Sequence, residues 1–321
     1  MIRRPPRSTQ SRSSAASDVY KRQVLVTTMI LLVWLDFWLA TDAVLGRAGV
    51  VLIGLSLILG VLTAVEFSGL WKSEGEKTSK CQSAAVMGIG TALMIVVAAI
   101  PVFWRDYPTD CAIGYFGWTI AGIIAGLLVS FFAEARKFGG ISEVPGAVAV
   151  RISLSVLVYV YLAMLFGFIL PIRNLEQSNS LGLLAVILLI ATVKTSDGAA
   201  YFAGRSLGKR KLAPAISPGK TIEGSLAAPL GGCFAAAIVI FAVAPLFFGM
   251  TVDRPWWFFI VYGVIVTLAG MVGDLAESLL KRDAQIKDSG SMIPGMGGLL
   301  DVLDSLVFAA PVSFVIWVAT K

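Results

Sequence analysis

The sequence predicts an all-α, polytopic integral membrane protein with about nine transmembrane helices, and three observations carry that expectation. The chain of 321 residues is 57% hydrophobic with a mean hydropathy of +0.84, more apolar surface than a soluble core of that size can hide. Apolar runs near the ~20 residues needed to span a bilayer recur along its length. Finally, Lys and Arg concentrate in alternate connecting loops, as the positive-inside rule requires of a chain that crosses repeatedly.

Taken in order, residues 1–23, "MIRRPPRSTQSRSSAASDVYKRQ", set six basic side chains against Asp18, a net +5 of the whole chain's +6. Their Arg/Ser/Pro mixture has no apolar face and predicts a disordered leader. It resembles translated sequencing-adaptor sequence and is set apart from the fold; a basic arm at a lipid surface is the functional alternative.

An N-terminal transmembrane region, 24–171, follows, with expected spans at 24–40, 48–67, 84–104, 112–133 and 150–171. The C-terminal region, 172–321, is expected to be catalytic, with spans at 181–203, 226–249, 256–275 and 303–320 and polar loops at 204–225 and 276–302. The first span carries Asp36 near its end, and the sixth is purely apolar only through Val193. Trp71, Trp104, Trp256 and Trp257 fall at segment ends as interfacial anchors. Asp36, Asp42 and Glu66 read as helix-end or interhelical polar contacts.

Orientation follows from the charges. One set of loops holds Lys72, Lys77, Lys80, Arg136, Lys137, Arg151, Arg205, Lys209, Arg210, Lys211, Lys220, Lys281, Arg282 and Lys287, whereas the opposite set holds only Arg47, Arg105, Arg173 and Arg254. The richer side is expected to be cytoplasmic, and both long polar loops lie on it.

Composition also excludes chemistry. There is no histidine, so Ser-His-Asp triads, imidazole acid/base catalysis and His-metal sites are ruled out. Cys81, Cys111 and Cys233 are odd in number and far apart, which suits packing rather than a disulfide framework or a metal site. Catalysis must therefore use carboxylates, Lys, Arg, hydroxyls and a hard metal.

Asp274, Glu277 and Lys281 are spaced i, i+3, i+7 and share one helix face, and Asp301 and Asp304 are three apart at the start of the last span. Carboxylates at two helix ends suit Mg²⁺, which takes one or two carboxylates plus substrate phosphates. Between them, "PGMGG" (Pro294 to Gly298) offers backbone, including Gly297 and Gly298, that can approach a ligand closely, and Lys281, Arg282 and Lys287 offer charge for phosphate. The plain alternative is a solvated, positive-inside loop with a glycine turn. Lys194 and Asp197 lie inside the sixth span, either neutralising each other or facing substrate. The loop after them, with Arg205, Lys209, Arg210, Lys211 and Lys220, fits a polyphosphate cradle, although "GRSLGK" lacks P-loop spacing.

Two long, gapless stretches, "SLLKRDAQIKDSGSMIPGMGGLLDVLD" (Ser278 to Asp304) and "SDGAAYFAGRSLGKRKLAPAISPGKTIEG" (Ser196 to Gly224), resemble the signature blocks of phosphatidate cytidylyltransferases, also called CDP-diacylglycerol synthases. The resemblance implies transfer of cytidylyl from CTP to phosphatidic acid in a helical membrane fold, at the cytoplasmic face of a bacterial inner membrane. It implies a metal centre on Asp274, Asp301 and Asp304, with Mg²⁺ and K⁺ as cofactors. Lys281, Arg282, Lys287 and Asp288 match the other charged positions expected to act in catalysis. Asp197, Arg205, Ser217, Lys220, Thr221 and Glu223 fall in the second block, with Ser217, Lys220, Thr221 and Glu223 at or near the nucleotide phosphates. The expected partners are CTP, phosphatidic acid, the bilayer and a second copy of the chain as a homodimer, with no nucleic acid.

Two positions depart from the signature: Met296 stands where the family has His, and Val302 where it has Arg. A phosphate nucleophile is already ionised at neutral pH, so the missing His removes no obligatory base. Arg205 or Arg282 is expected to compensate for Val302. Three rival readings remain at this point: transfer to another lipid phosphate, a transporter with Lys194, Asp197 and Asp274 as a midplane ion site, and a non-catalytic relative.

Overall fold

The computed structural model describes residues 31–32, 34–40, 49–70, 82–104, 113–138, 145–286, 289–290 and 298–320. Hydrocarbon offers no partner for a backbone N–H or C=O, so the apolar runs fold into helices that satisfy themselves. Helical residues 31–32 and 34–40 (α1) precede α2 (Val50–Leu70), α3 (Ala84–Ala98), α4 (Ile100–Phe103), α5 (Gly114–Lys137), α6 (Ala147–Arg173) and α7 (Asn179–Leu207). A hairpin of β1 (Lys211–Ala213) and β2 (Ser217–Thr221) leads to α8 (Ile222–Ile238), a π turn (Val239–Val243) and α9 (Ala244–Phe248), then α10 (Phe258–Asp283) and α11 (Leu300–Ala319).

Seven of these helices are long and apolar enough to cross a membrane: α2, α5, α6, α7, α8 with α9 as one span, α10 and α11. The count of nine is thus not reached among the described residues. The third expected span, 84–104, is a 15-residue helix that breaks at Ala99 before Pro101, whose ring cannot donate to the ladder. The first expected span is described only from residue 31.

Two further expectations need correction. The 204–225 loop is not irregular: α7 runs four residues into it, and an antiparallel hairpin pairing Lys211 with Thr221 and Ala213 with Ser217 fills the middle, a small β element in a fold read as all-α. The 276–302 loop is shorter than expected, since α10 continues to Asp283. Apolar periodicity stops near Leu275 because the helix leaves hydrocarbon there, while its backbone ladder continues. A Schellman-type ending closes it, with Gln285 N donating to Arg282 O (3.0 Å) and Ile286 N to Lys281 O (2.9 Å), and Gln285 in the left-handed region at φ 58°.

Lipid tails are as apolar as leucine, so helices in a bilayer associate through close packing and polar contacts rather than the hydrophobic effect. Accordingly, Phe131, Phe132, Leu226, Leu230, Phe234 and Phe247 are exposed on the outer faces, while Phe67, Tyr159, Tyr262 and Trp317 are buried inside. The last helix packs on α6 and α10, and α10 and α7 both pack on α8, which brings the C-terminal ends of α7 and α10 to the N-terminus of α11.

Buried ion pairs pin the helices. Arg173, counted among the poorer loops, is instead 1% exposed and donates through Nε to Asp36 Oδ2 at 2.8 Å, while Asp36 also accepts from Gly49 N and Val51 N at the start of α2. Arg151, counted among the richer loops, donates through Nε (2.8 Å) and Nη2 (2.6 Å) to Glu134 Oε2. The expectation that Asp36 is a structural contact holds; Asp42 lies outside the described residues.

Candidate active site

The hairpin and four helices, α7, α8, α10 and α11, converge on one cavity of about 580 Å³, within the usual range for small-molecule sites. Lys194, Arg205, Lys211 and Lys220 line it beside Asp197, Asp274, Asp301 and Asp304. Such a mixture suits a polyphosphate, whose oxygens need cations, together with a divalent metal, which needs carboxylates.

On α10 the i, i+3, i+7 face forms as the spacing predicts. Lys281 Nζ lies 2.6 Å from both Glu277 Oε2 and Asp301 Oδ1, stitching α10 to the first turn of α11. Asp301 also accepts through Oδ2 from Gly298 N (2.7 Å) and Ser289 N (3.3 Å), and the same oxygen lies 3.1 Å from Ser289 Oγ. A carboxylate in a helix's first turn is further favoured by the positive end of the helix dipole. One turn on, the buried Asp304 accepts from Ser305 N and Ser305 Oγ. The two helices meet closely because Gly273 has no side chain: a Cβ there would overlap the backbone oxygen of Asp304. Asp274 is thereby set beside the same cavity wall.

The hairpin supplies the opposite wall. Thr221 caps α8 by accepting from Gly224 N at 3.2 Å, and Lys220 next to it reaches Asp274 Oδ2 at 2.7 Å. The Lys220–Asp274 and Lys281–Glu277 contacts are charge pairs without hydrogen-bond angles, so neither ammonium is locked to its partner by a directed bond there. Lys194 pairs loosely with Asp197 (3.8 Å) and donates to Val302 O at 3.1 Å; both residues of the pair are exposed to the cavity, so this is not a sealed structural pair.

Of the residues singled out in the sequence, Asp197, Arg205, Ser217, Lys220, Thr221, Asp274, Asp301 and Asp304 line the cavity, and Lys281 sits behind Asp301. Three others do different work. Arg282 donates through Nε to Ile216 O at 3.1 Å, fastening the hairpin's turn to α10. Glu223 accepts from Lys209 N and Arg210 N at 3.1 to 3.3 Å, closing the base of the hairpin. Gly298 does not leave room for a ligand: a Cβ on it would overlap the Glu66 carboxylate and the Ser289 hydroxyl. Lys287, Asp288, Met296 and Gly297 lie outside the described residues. Of the two arginines expected to compensate for Val302, Arg205 faces the cavity and Arg282 does not.

Among the described residues no three acidic or thiol side chains converge tightly enough to ligate one ion. Three carboxylates on one cavity wall nonetheless form a hard-oxygen donor set that suits Mg²⁺ when phosphate oxygens complete the shell. Lys211, read in the sequence as part of a polyphosphate cradle, lines the wall, as does Tyr201, which the sequence does not single out; nor does the sequence give Glu66 a role at the site. Glu66 carries no local signal, because its partners Ser289 and Leu299 are 223 and 233 residues away.

Comparison with known proteins gives a coherent result. The profile of the cytidylyltransferase family matches residues 21–319. The phosphatidate cytidylyltransferase of Chlamydia muridarum (strain MoPn / Nigg) is 36% identical over 194 residues, 60% of this chain and 60% of that protein. That of Bacillus subtilis (strain 168) is 40% identical over 154 residues, 47% and 53% of the two chains. That of Chlamydia pneumoniae is 27% identical over 321 residues, 97% and 96%. The matches thus span less than two thirds of the first two relatives and nearly all of the third.

Proposed function

The chain belongs to the cytidylyltransferase family, and from that premise we propose that it transfers cytidylyl from CTP to phosphatidic acid, giving CDP-diacylglycerol and pyrophosphate. The observation that carries the reading is one cavity lined by four cations and four carboxylates from α7, the hairpin, α10 and α11.

In this reading the triphosphate lies against Lys211, Lys220 and Arg205, with Ser217 and Thr221 beside it. A phosphatidate phosphate oxygen attacks the α-phosphorus of CTP. The new P–O bond forms as the bond from the α-phosphorus to the bridging oxygen breaks, and the electron pair leaves with pyrophosphate. The nucleophile is ionised from the start, so the site must position and neutralise rather than deprotonate, which suits a chain without histidine. Lys194 and Lys220 lower the repulsion between two anionic reactants, and Lys281 fixes Asp301.

Asp274, Asp301 and Asp304 would hold Mg²⁺, one or two at a time, with K⁺ as its monovalent companion. Bound there, the metal would neutralise phosphate charge in the transition state. The acyl chains would run along the apolar groove beside the cavity formed by Phe202, Ala227, Leu230 and Phe234 on α7 and α8.

The reading extends to a bacterial inner membrane with the cavity facing the cytoplasm, supported by the cations of the hairpin, and to a homodimer, which multi-angle light scattering in detergent would test. A transporter is disfavoured because α7 and α10 run unbroken through Lys194, Asp197 and Asp274, without the interrupted helices such an ion site uses. The intact set of cavity carboxylates disfavours a non-catalytic relative.

Isotope placement tests the reaction. With CTP labelled at the α-phosphate, label should enter the lipid; with label at the γ-phosphate, it should leave as pyrophosphate, both requiring Mg²⁺. Orthophosphate release without labelled lipid would mean hydrolysis and end the proposal. Labelled product with another lipid phosphate but not phosphatidic acid would redirect the substrate.

A further inference from the structure

Glu66 stands near the end of α2, in the half of the chain that contributes nothing to the cavity wall, and is only 7% exposed. Its Oε2 accepts from Leu299 N at 2.8 Å and Leu300 N at 3.3 Å, the first amides of α11, which have no partners within the helix. Its Oε1 lies 2.6 Å from Ser289 Oγ, and that hydroxyl is also 3.1 Å from Asp301 Oδ2. One hydroxyl carries one hydrogen, and the shorter contact marks Glu66 as its acceptor; Ser289 then holds Asp301 through its backbone N–H at 3.3 Å.

The glycines around this point are shaped to the carboxylate. A Cβ on Gly290 would come within 2.6 Å of Glu66 Oε1, and one on Gly298 would overlap both Glu66 and Ser289. The backbone on either side of residues 291–297 thus closes on a side chain from another helix. Asp301 is reached from two directions, by Lys281 from α10 and by the Glu66–Ser289 link from α2.

We propose that Glu66 is a positioning residue for Asp301: it caps α11 and, through Ser289 and the Leu299 and Leu300 amides, fixes the carboxylate at the depth and angle that the reaction requires. It touches no substrate. This inference rests on the function proposed above.

The test uses the full chain in detergent with CTP, phosphatidic acid and Mg²⁺, comparing wild type with Glu66→Gln and Ser289→Ala. Outer groups of this kind typically govern about 10- to 100-fold in activity or metal affinity. Glu66→Gln should lower kcat by that order and raise the Mg²⁺ concentration for half activation, while the KM for CTP, set by the hairpin, stays within about threefold. Ser289→Ala should show the same pattern more weakly, and serves if Glu66→Gln does not fold. Independently of activity, hydrogen exchange at Leu299 and Leu300 should quicken in Glu66→Gln without a change at Arg151 or Arg173.

Unchanged exchange at Leu299 and Leu300 overturns the inference even if the wild type proves inactive, an outcome that would instead sink the proposed function. Faster exchange with wild-type kcat and Mg²⁺ dependence also overturns it, because the cap would then be structural only.

Discussion

Lys220 Nζ lies 2.7 Å from Asp274 Oδ2, joining the second strand of the hairpin to the first residue of the charged face on α10. Both side chains are partly exposed, so the pair stabilises the fold by no more than about 1 kcal/mol. Its placement matters more, because a lysine paired with a carboxylate at the cavity is held ready to turn toward phosphate. Lys220→Met should therefore cut kcat/KM for CTP by about 100- to 1,000-fold, as loss of one transition-state charge partner does elsewhere. The thermal midpoint should move little. A variant of wild-type activity would place the triphosphate elsewhere.

The order in which features became legible has a physical basis. Hydrocarbon enforces long apolar runs, so seven spans and the ordered pair of polar blocks could be read directly, and the helical repeat placed Asp274, Glu277 and Lys281 on one face. The hairpin was hidden because three- and five-residue strands carry too little alternation to register. The extension of α10 to Asp283 was hidden because hydropathy reports the edge of the bilayer rather than the end of a helix. The internal contacts of Arg282, Glu223 and Gly298 were not legible for one shared reason: a charged or flexible residue in a signature looks alike whether it meets a ligand or the protein's own backbone.

Asp36 and Arg173 illustrate the opposite case, charge spent wholly on structure. The pair is 3% and 1% exposed, and Arg173 further donates to Asn179 O and Oδ1. Removing one partner strands a buried charge, at a cost of about 3–5 kcal/mol. Asp36→Ala should thus yield little folded protein in detergent. Any fraction that does fold should keep the wild-type KM for CTP, as size-exclusion followed by kinetics would reveal.

Gly273 lets α10 approach the backbone of α11 at Asp304, so a side chain there must part the two helices at the cavity. Overpacking of this kind costs about 1–3 kcal/mol. Gly273→Val is expected to abolish turnover while the protein still elutes as a folded species, because separating Asp274 from Asp304 dismantles the carboxylate wall. Substantial activity in that variant would show that the wall tolerates displacement.

Gln285 ends α10 at φ 58°, a conformation that costs a side-chain-bearing residue about 1–2 kcal/mol and glycine much less. Glycine loses about 0.5–1 kcal/mol of that advantage to its freer unfolded state. Gln285→Gly should leave the protein marginally more heat-stable and catalytically unaltered, which a melting curve in detergent and an activity assay can check together.

The central claim, that Asp301 anchors the chemistry of a cytidylyl transfer, meets its most direct test in Asp301→Asn. Asparagine keeps the size and accepts from Gly298 N as before, but it removes the charge that faces Lys281. Labelled CTP, phosphatidic acid and Mg²⁺ in mixed micelles should give CDP-lipid and pyrophosphate with the wild type and none measurable with the variant, while both elute as folded protein. Product formed at a wild-type rate by Asp301→Asn would contradict the account.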